Sequence, residues 1–169
     1  METRDLLLTA FDNVEEAVRG ALDGIDPELL TARVDPEANT IAWLVWHLTR
    51  VQDDHVSEVA GVEQAYTANG WAERFALPFD VGAIGYGFSS SDVARTQITD
   101  PQLLVDHHAD VHARTADFVR GLSPADLDRV VDERWDPPVT LGVRLVSVIT
   151  DDLQHAGQAA LLRGSLERR

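Results

Sequence analysis

The sequence contains no lysine and no cysteine; all 14 basic residues in the 169 are Arg. Without Lys there is no Schiff-base amine and no phosphate-loop lysine. Without Cys there is no thiolate nucleophile, disulfide, Cys-ligated zinc or iron–sulfur cluster. Basic charge is scarce as a whole: 29 acidic residues leave a formal net charge of −15. An acidic surface repels a phosphate backbone, so no nucleic-acid partner is expected. No apolar run approaches the roughly 18 residues of a membrane span, and no membrane partner is expected either. The opening Met-Glu-Thr-Arg-Asp-Leu-Leu-Leu lacks the basic-then-apolar layout of a signal peptide, which points to the cytoplasm. What remains is an ordinary globular composition, 44% hydrophobic and 25% charged. It reads as one domain over residues 1–169 with a sizeable core.

Four segments carry helical periodicity. Leu6, Leu7, Ala10, Phe11, Val14, Val18 and Leu22 recur at three- and four-residue steps, with Gly24 as a stop. A second run opens after Asn39-Thr40 and passes through Ile41, Leu44, Leu48, Val51 and His55 to Gly61. The third starts at Asp100-Pro101, a cap followed by proline at the first helical position, and ends at Gly121. The last runs from near Thr140 to Gly164. Together they predict an all-α, up-down four-helix bundle with one long crossover between helices 2 and 3. That crossover, Gly61 to Thr99, holds Trp71, Phe75, Phe79, Tyr86 and Phe88 among several glycines. A connection so long and aromatic is a bundle crossover or a pocket lid, with Trp71 and Tyr86 as the lid candidates. Two short turns of helix are expected, one after Ser123-Pro124 and one capped by Ser89-Ser90-Ser91-Asp92.

Six histidines are the side chains whose charge changes near neutral pH. His155 faces the bundle interior by the apolar pattern around it. Asp151 lies about 40° round the helix from it and Asp152 about 60° on the other side, so either carboxylate can share its face. Two ionisable groups on a buried face need compensation, which a divalent cation or a simple hydrogen bond supplies. His47, between Trp46 and Leu48 on the second helix, is at least partly buried, with Asp54 two turns on. His108 and His112 stand four apart beside His107, but among Asp106, Asp110, Arg114 and Asp117 they read as a solvent face. His55 reads as packed. The glycines at 82, 85 and 87 superficially offer a phosphate loop, but no strand precedes them.

The run Asp151-Asp152-Leu153-Gln154-His155-Ala156-Gly157-Gln158, with Trp46-His47-Leu48 on the second helix, resembles the DinB/YfiT-like superfamily. There a His, three residues, a second His, one residue and Gly-Gln close a four-helix bundle. Characterised members bind a divalent metal, typically zinc or nickel, through three histidines. Some, such as mycothiol-dependent maleylpyruvate isomerase, use a low-molecular-weight thiol. The resemblance covers nearly the whole chain and implies His47, Asp151 and His155 as metal ligands, with Asp151 where the family has histidine. The same resemblance favours Asp151 over Asp152. A two-histidine, one-carboxylate set also binds a divalent cation, and its carboxylate admits iron or manganese. Asp54, Tyr86, Asp152 and Gln158 are the surrounding candidates for touching substrate or supporting ligands; no catalytic residue is assigned.

The implied function is metal-dependent, thiol-dependent S-transfer or isomerisation of a small molecule, with metal-assisted hydrolysis behind it. Because the chain has no Cys, the thiol must come from a soluble cosubstrate such as mycothiol. Arg in place of every Lys is the usage of a GC-rich genome and fits an actinobacterial source. The rival reading is a non-catalytic bundle that dimerises or binds a small ligand on a degenerate metal site. A homodimer is compatible with both. The charge balance makes one prediction: the protein elutes from a DNA column with no salt-dependent retention, because phosphate contacts are what produce that salt slope.

Overall fold

A computed structural model describes residues 2–169. Four long helices dominate it: α1 (Thr3–Leu22), α2 (Ile41–Ala60), α6 (Pro101–Arg120) and α7 (Leu141–Leu166). Three short helices, α3 (Ala65–Ala68), α4 (Trp71–Phe75) and α5 (Ser90–Arg95), lie in the crossover. The expected turn after Ser123 is a 3₁₀ helix, Pro124–Asp128. The periodic pattern did not announce the antiparallel pair β1 (Val130–Asp132) and β2 (Val139–Thr140) that follows. At two and three residues these strands are too short for a period-2 signal to show.

The helix ends follow local chemistry. Thr40 accepts from Trp43 N–H, Asp100 from Gln102 N–H and Thr140 from Val143 N–H, each occupying a donor the first turn would leave unpaired. Ser89 and Asp92 form a reciprocal capping box on α5. Gly61 ends α2 at φ 69°, a left-handed turn that glycine adopts without strain. Gly164 does not stop α7, which continues to Leu166.

Side-chain contacts fix the helix directions. Thr49 meets His108 and Gln52 meets Thr115, so α2 and α6 run parallel. His47 faces His155 while Arg144 reaches Glu58, so α2 and α7 run antiparallel. The Arg163 guanidinium donates to the carbonyls of Ala21 and Asp23, which sets the C-terminal ends of α1 and α7 side by side. The long crossover is what permits α2 and α6 to be parallel neighbours. The core is the shared interior of these helices, with Phe11, Leu44, Trp46, Leu48, Leu104, Leu141 and Leu145 fully enclosed.

The crossover is tied down at its start. The buried Asp53 carboxylate accepts from the backbone N–H groups of Ala65 and Tyr66, both at 2.8 Å. Arg50, wholly buried, donates to Gln64 and lies 4.0 Å over the Tyr66 ring. Trp71 is therefore no lid. It packs 5.1 Å from His107 and donates to Asp110.

His107 and His108 correct the solvent-face reading of α6. Both are buried, because the stripe through Leu104, His107, His108, Val111 and Thr115 faces the interior and the crossover helices. Neighbouring carboxylates at 106, 110 and 117 disguise that stripe. His107 sits among Tyr66, Trp71 and Phe75 with neither nitrogen bonded among the described residues. Burial holds its pKa well below the usual histidine value and pushes His108 down to about 3. Unfolding lets both rings take protons below about pH 6.5, so stability falls as pH drops through that value, by about 1.4 kcal/mol per pH unit for each ring. The urea midpoint should drop between pH 7.5 and 5.5, and His107→Leu, which orphans no partner, should reduce the slope.

Candidate functional site

His47, Asp151 and His155 converge on one face between α2 and α7. Each offers one ligand atom, and the three atoms lie within 4.8 Å of one another. The helix spacing explains the meeting. Residues 151 and 155 are one turn apart on α7, and antiparallel packing brings His47 of α2 to the same level. The imidazole centroids of His47 and His155 are 5.0 Å apart. Asp151 Oδ1 lies 3.6 Å from His155 Nε2, while its Oδ2 is enclosed and has no hydrogen-bond partner among the described residues.

Both rings are held by their far nitrogens. His47 Nδ1 is 2.5 Å from the Ile84 carbonyl oxygen, a contact that requires the proton on Nδ1. His155 Nδ1 is 3.1 Å from Gln158 Oε1 and donates in the same sense. A neutral ring with its proton on Nδ1 carries its lone pair on Nε2. Trp43 completes the arrangement, stacked on His47 at 4.6 Å and edge-on to His155 at 6.1 Å. Burial lowers the His47 pKa most; the Ile84 contact raises it, His155 lowers it and Asp151 raises it. The net direction is downward, which favours the neutral ring that can bind a cation.

The remaining sequence candidates fall in different places. Asp152 points away into the core, wholly buried, with neither oxygen bonded among the described residues. Burial raises its pKa well above the carboxylate range, with Asp151 adding to the rise. It makes no hydrogen bond to either histidine. Asp54 accepts from Gln64 and lies 3.6 Å from His55 Nδ1, outside the converging set. Tyr86 is 88% exposed and lines a cleft of about 240 Å³ with His47, His55, Ile84, Arg144 and Asp151.

Sequence reading missed four contributors. His55 and Arg144 are walls of that cleft rather than packing alone, and helical phase gave no separate sign of either. Ile84 and Gly85 were passed over as a weak phosphate loop, although the glycine was a usable signal. A Cβ at Gly85 would lie 2.8 Å from His47 Nδ1 and 3.1 Å from Trp46, at a φ of +91°. Glycine is there because the crossover backbone presses on the imidazole.

The chain matches the profile of a family described as Mycothiol-S-transferase over residues 6–168. It is also similar to a crystal structure of a conserved protein of locus from Enterococcus faecalis. That similarity has a TM-score of 0.90 at 28% identity, covering 96% of each chain. No curated protein matches significantly.

The tight approach at position 85 generates a prediction independent of any ligand. Gly85→Ala should destabilise the fold by about 1–3 kcal/mol through backbone strain and displacement of the loop. Thermal unfolding with tryptophan emission checks it, since Trp43 and Trp46 both border that contact.

Proposed function

The chain belongs to the Mycothiol-S-transferase family, and from that premise we propose a metal-dependent enzyme that uses mycothiol for S-transfer or isomerisation of a small molecule. Metal-assisted hydrolysis is the next reading of the same centre. The observation that carries this reading is the convergence of His47, Asp151 and His155 with both Nε2 atoms free and one enclosed Asp151 oxygen unpartnered. An enclosed carboxylate oxygen without a donor is a vacancy in hydrogen bonding that a cation fills. Two imidazoles and a carboxylate are a competent donor set for zinc or nickel, with iron or manganese admitted by the oxygen ligand. When bound, such a cation supplies Lewis acidity that lowers the pKa of a thiol or a water.

The protein's own groups do the remaining work. Ile84 and Gln158 fix the tautomer and direction of the two rings, as outer hydrogen bonds commonly do for metal ligands. The Asp151 carboxylate offsets cationic charge at the centre. The absence of Cys in the chain assigns the reactive sulfur to the cosubstrate. His55 and Arg144 form the cleft wall next to the triad and meet whatever the sulfur is attached to. Tyr86 stands at the same cleft, exposed enough to move toward a bound molecule. A low-molecular-weight thiol cosubstrate agrees with a cytoplasmic location, and no described helix is long and apolar enough to cross a membrane.

Protein purified without a nickel resin should carry about one equivalent of transition metal per chain by elemental analysis. His47→Ala, Asp151→Ala and His155→Ala should each weaken zinc binding at least about tenfold in chelator competition, with the apo fold intact because the bundle has its own core. Asp152→Ala should leave the metal affinity nearly unchanged. Asp151→His should raise preference for zinc or nickel, because imidazole suits them. A parent that carries no transition metal and shows no activity with mycothiol would replace this reading with the non-catalytic ligand-binding bundle.

A further inference from the structure

The outward side of α7 is without charge. Val143, Val146, Leu153 and Leu161 are 40% to 68% exposed along it, with Thr150 and Gly157 between them. Steps of three and four residues put this series on one side of the helix. Ser147, Gln154, Gln158 and Ala160, which α7 also exposes, are uncharged as well. The ionisable groups of α7 are turned elsewhere. Arg144 and Asp151 line the cleft toward α2, Asp152 is in the core, and Arg163 reaches over to α1. The other outer helices differ: α1 exposes Asp12 and Glu16, and α6 exposes Asp106 and Asp117.

The uncharged strip is two helices wide. Asp12 and Glu15 of α1 reach His112 on α6, so the opposite flank of α1 is the one that borders α7. That flank carries Leu6, Asn13 and Gly20, all exposed, with the half-buried Ala10 and Ala17 between them. Two helices about 30 Å long, with axes about 8–10 Å apart, present a face of about 600 Å². Two such faces together clear the roughly 1,000 Å² of a specific interface. Gly20 and Gly157 add an independent sign. Each lies inside a helix, where glycine is less favourable than alanine. A Cβ at either would meet nothing within 4 Å among the described residues, so packing within the chain gives no reason for glycine. A neighbour seated closely on the strip supplies one.

We propose that this strip is where a second copy of the chain docks, α7 against α7, about a two-fold axis between Thr150 and Leu153. The net charge of −15 selects the occupant. A basic partner is drawn to the acidic remainder of the surface, and an anionic membrane repels the whole molecule. Two like-charged copies meet at least cost where neither carries charge. A two-fold interface also needs a patch complementary to itself, and the series on α7 has that symmetry. With the two α7 helices antiparallel, Val143 faces Leu161 of the other copy, Val146 faces Gly157 and Thr150 faces Leu153. A larger side chain stands opposite a smaller one at the inner two pairs. The pairing needs neither a metal nor a thiol.

Sedimentation of the full-length protein at micromolar concentration tests this. The parent should have the mass of two chains, and added salt should strengthen the pairing by screening the charge on the copies. Leu153→Glu places a carboxylate of each copy beside the axis and should weaken the pairing at least about a hundredfold. Val62→Glu, an exposed change just beyond α2, should leave it unaltered. Because the chain lacks cysteine, Thr150→Cys supplies a single thiol close to its own counterpart and should oxidise to a covalent dimer, while Val62→Cys should not. If Leu153→Glu fails to fold, the two cysteine variants decide alone. A parent that stays monomeric even in salt leaves the strip to some other partner and overturns the pairing. A dimer that Leu153→Glu leaves intact overturns it too, as does one in which Thr150→Cys links no better than Val62→Cys.

Discussion

Every residue of α2 from Ile41 to Asp53 is buried, and that constraint organises the molecule. A helix hidden on all sides needs cover beyond its two packed neighbours, α6 and α7. The crossover provides it, with Asp53 and Arg50 anchoring its first segment and Ile84 and Gly85 lying on His47. Burial also obliges the polar residues of α2 to find partners. Thr49 meets His108, Gln52 meets Thr115, Arg50 meets Gln64 and His47 meets a backbone carbonyl. The site histidine is one member of this set of enforced pairings.

The long helices were legible because their apolar residues recur at helical spacing and their caps are short-range chemistry. Thr40, Asp100 and Ser89 act where a reader would place them. The meeting of His47 with the last helix was legible from family pattern and helix order, and the converging atoms include Asp151, not Asp152. Helical phase could not separate these two, since each stands within about 60° of His155. His107 and His108 were misread because flanking carboxylates masked an interior stripe. Gly85 was misread because close backbone approach depends on a residue far away in the sequence. Nor could any local pattern bring Arg144 to His55 and Glu58, a contact that exists only once α2 and α7 are antiparallel.

At position 151, where the superfamily pattern has histidine, this chain places a carboxylate 3.6 Å from His155 Nε2. A carboxylate at 151 occupies the turn-spaced position a histidine would hold, and it faces the rings of His47 and His155. Asp152, next to it, is in the opposite condition: enclosed, unbonded and driven toward the neutral acid. Adjacent residues of the same type thus sit in different surroundings, one wholly buried and one at the cleft, decided by which side of α7 each faces.

The stacking of Trp43 on His47 has an optical consequence. An indole whose ring centroid lies 4.6 Å from an imidazole, and 6.1 Å from a second one, is close enough for its emission to respond to changes in those rings. Protonation of the imidazole, or an open-shell ion beside it, opens a non-radiative path for the excited indole. The centre therefore carries its own emission reporter, read against the background of Trp46, Trp71 and Trp135 without any attached dye.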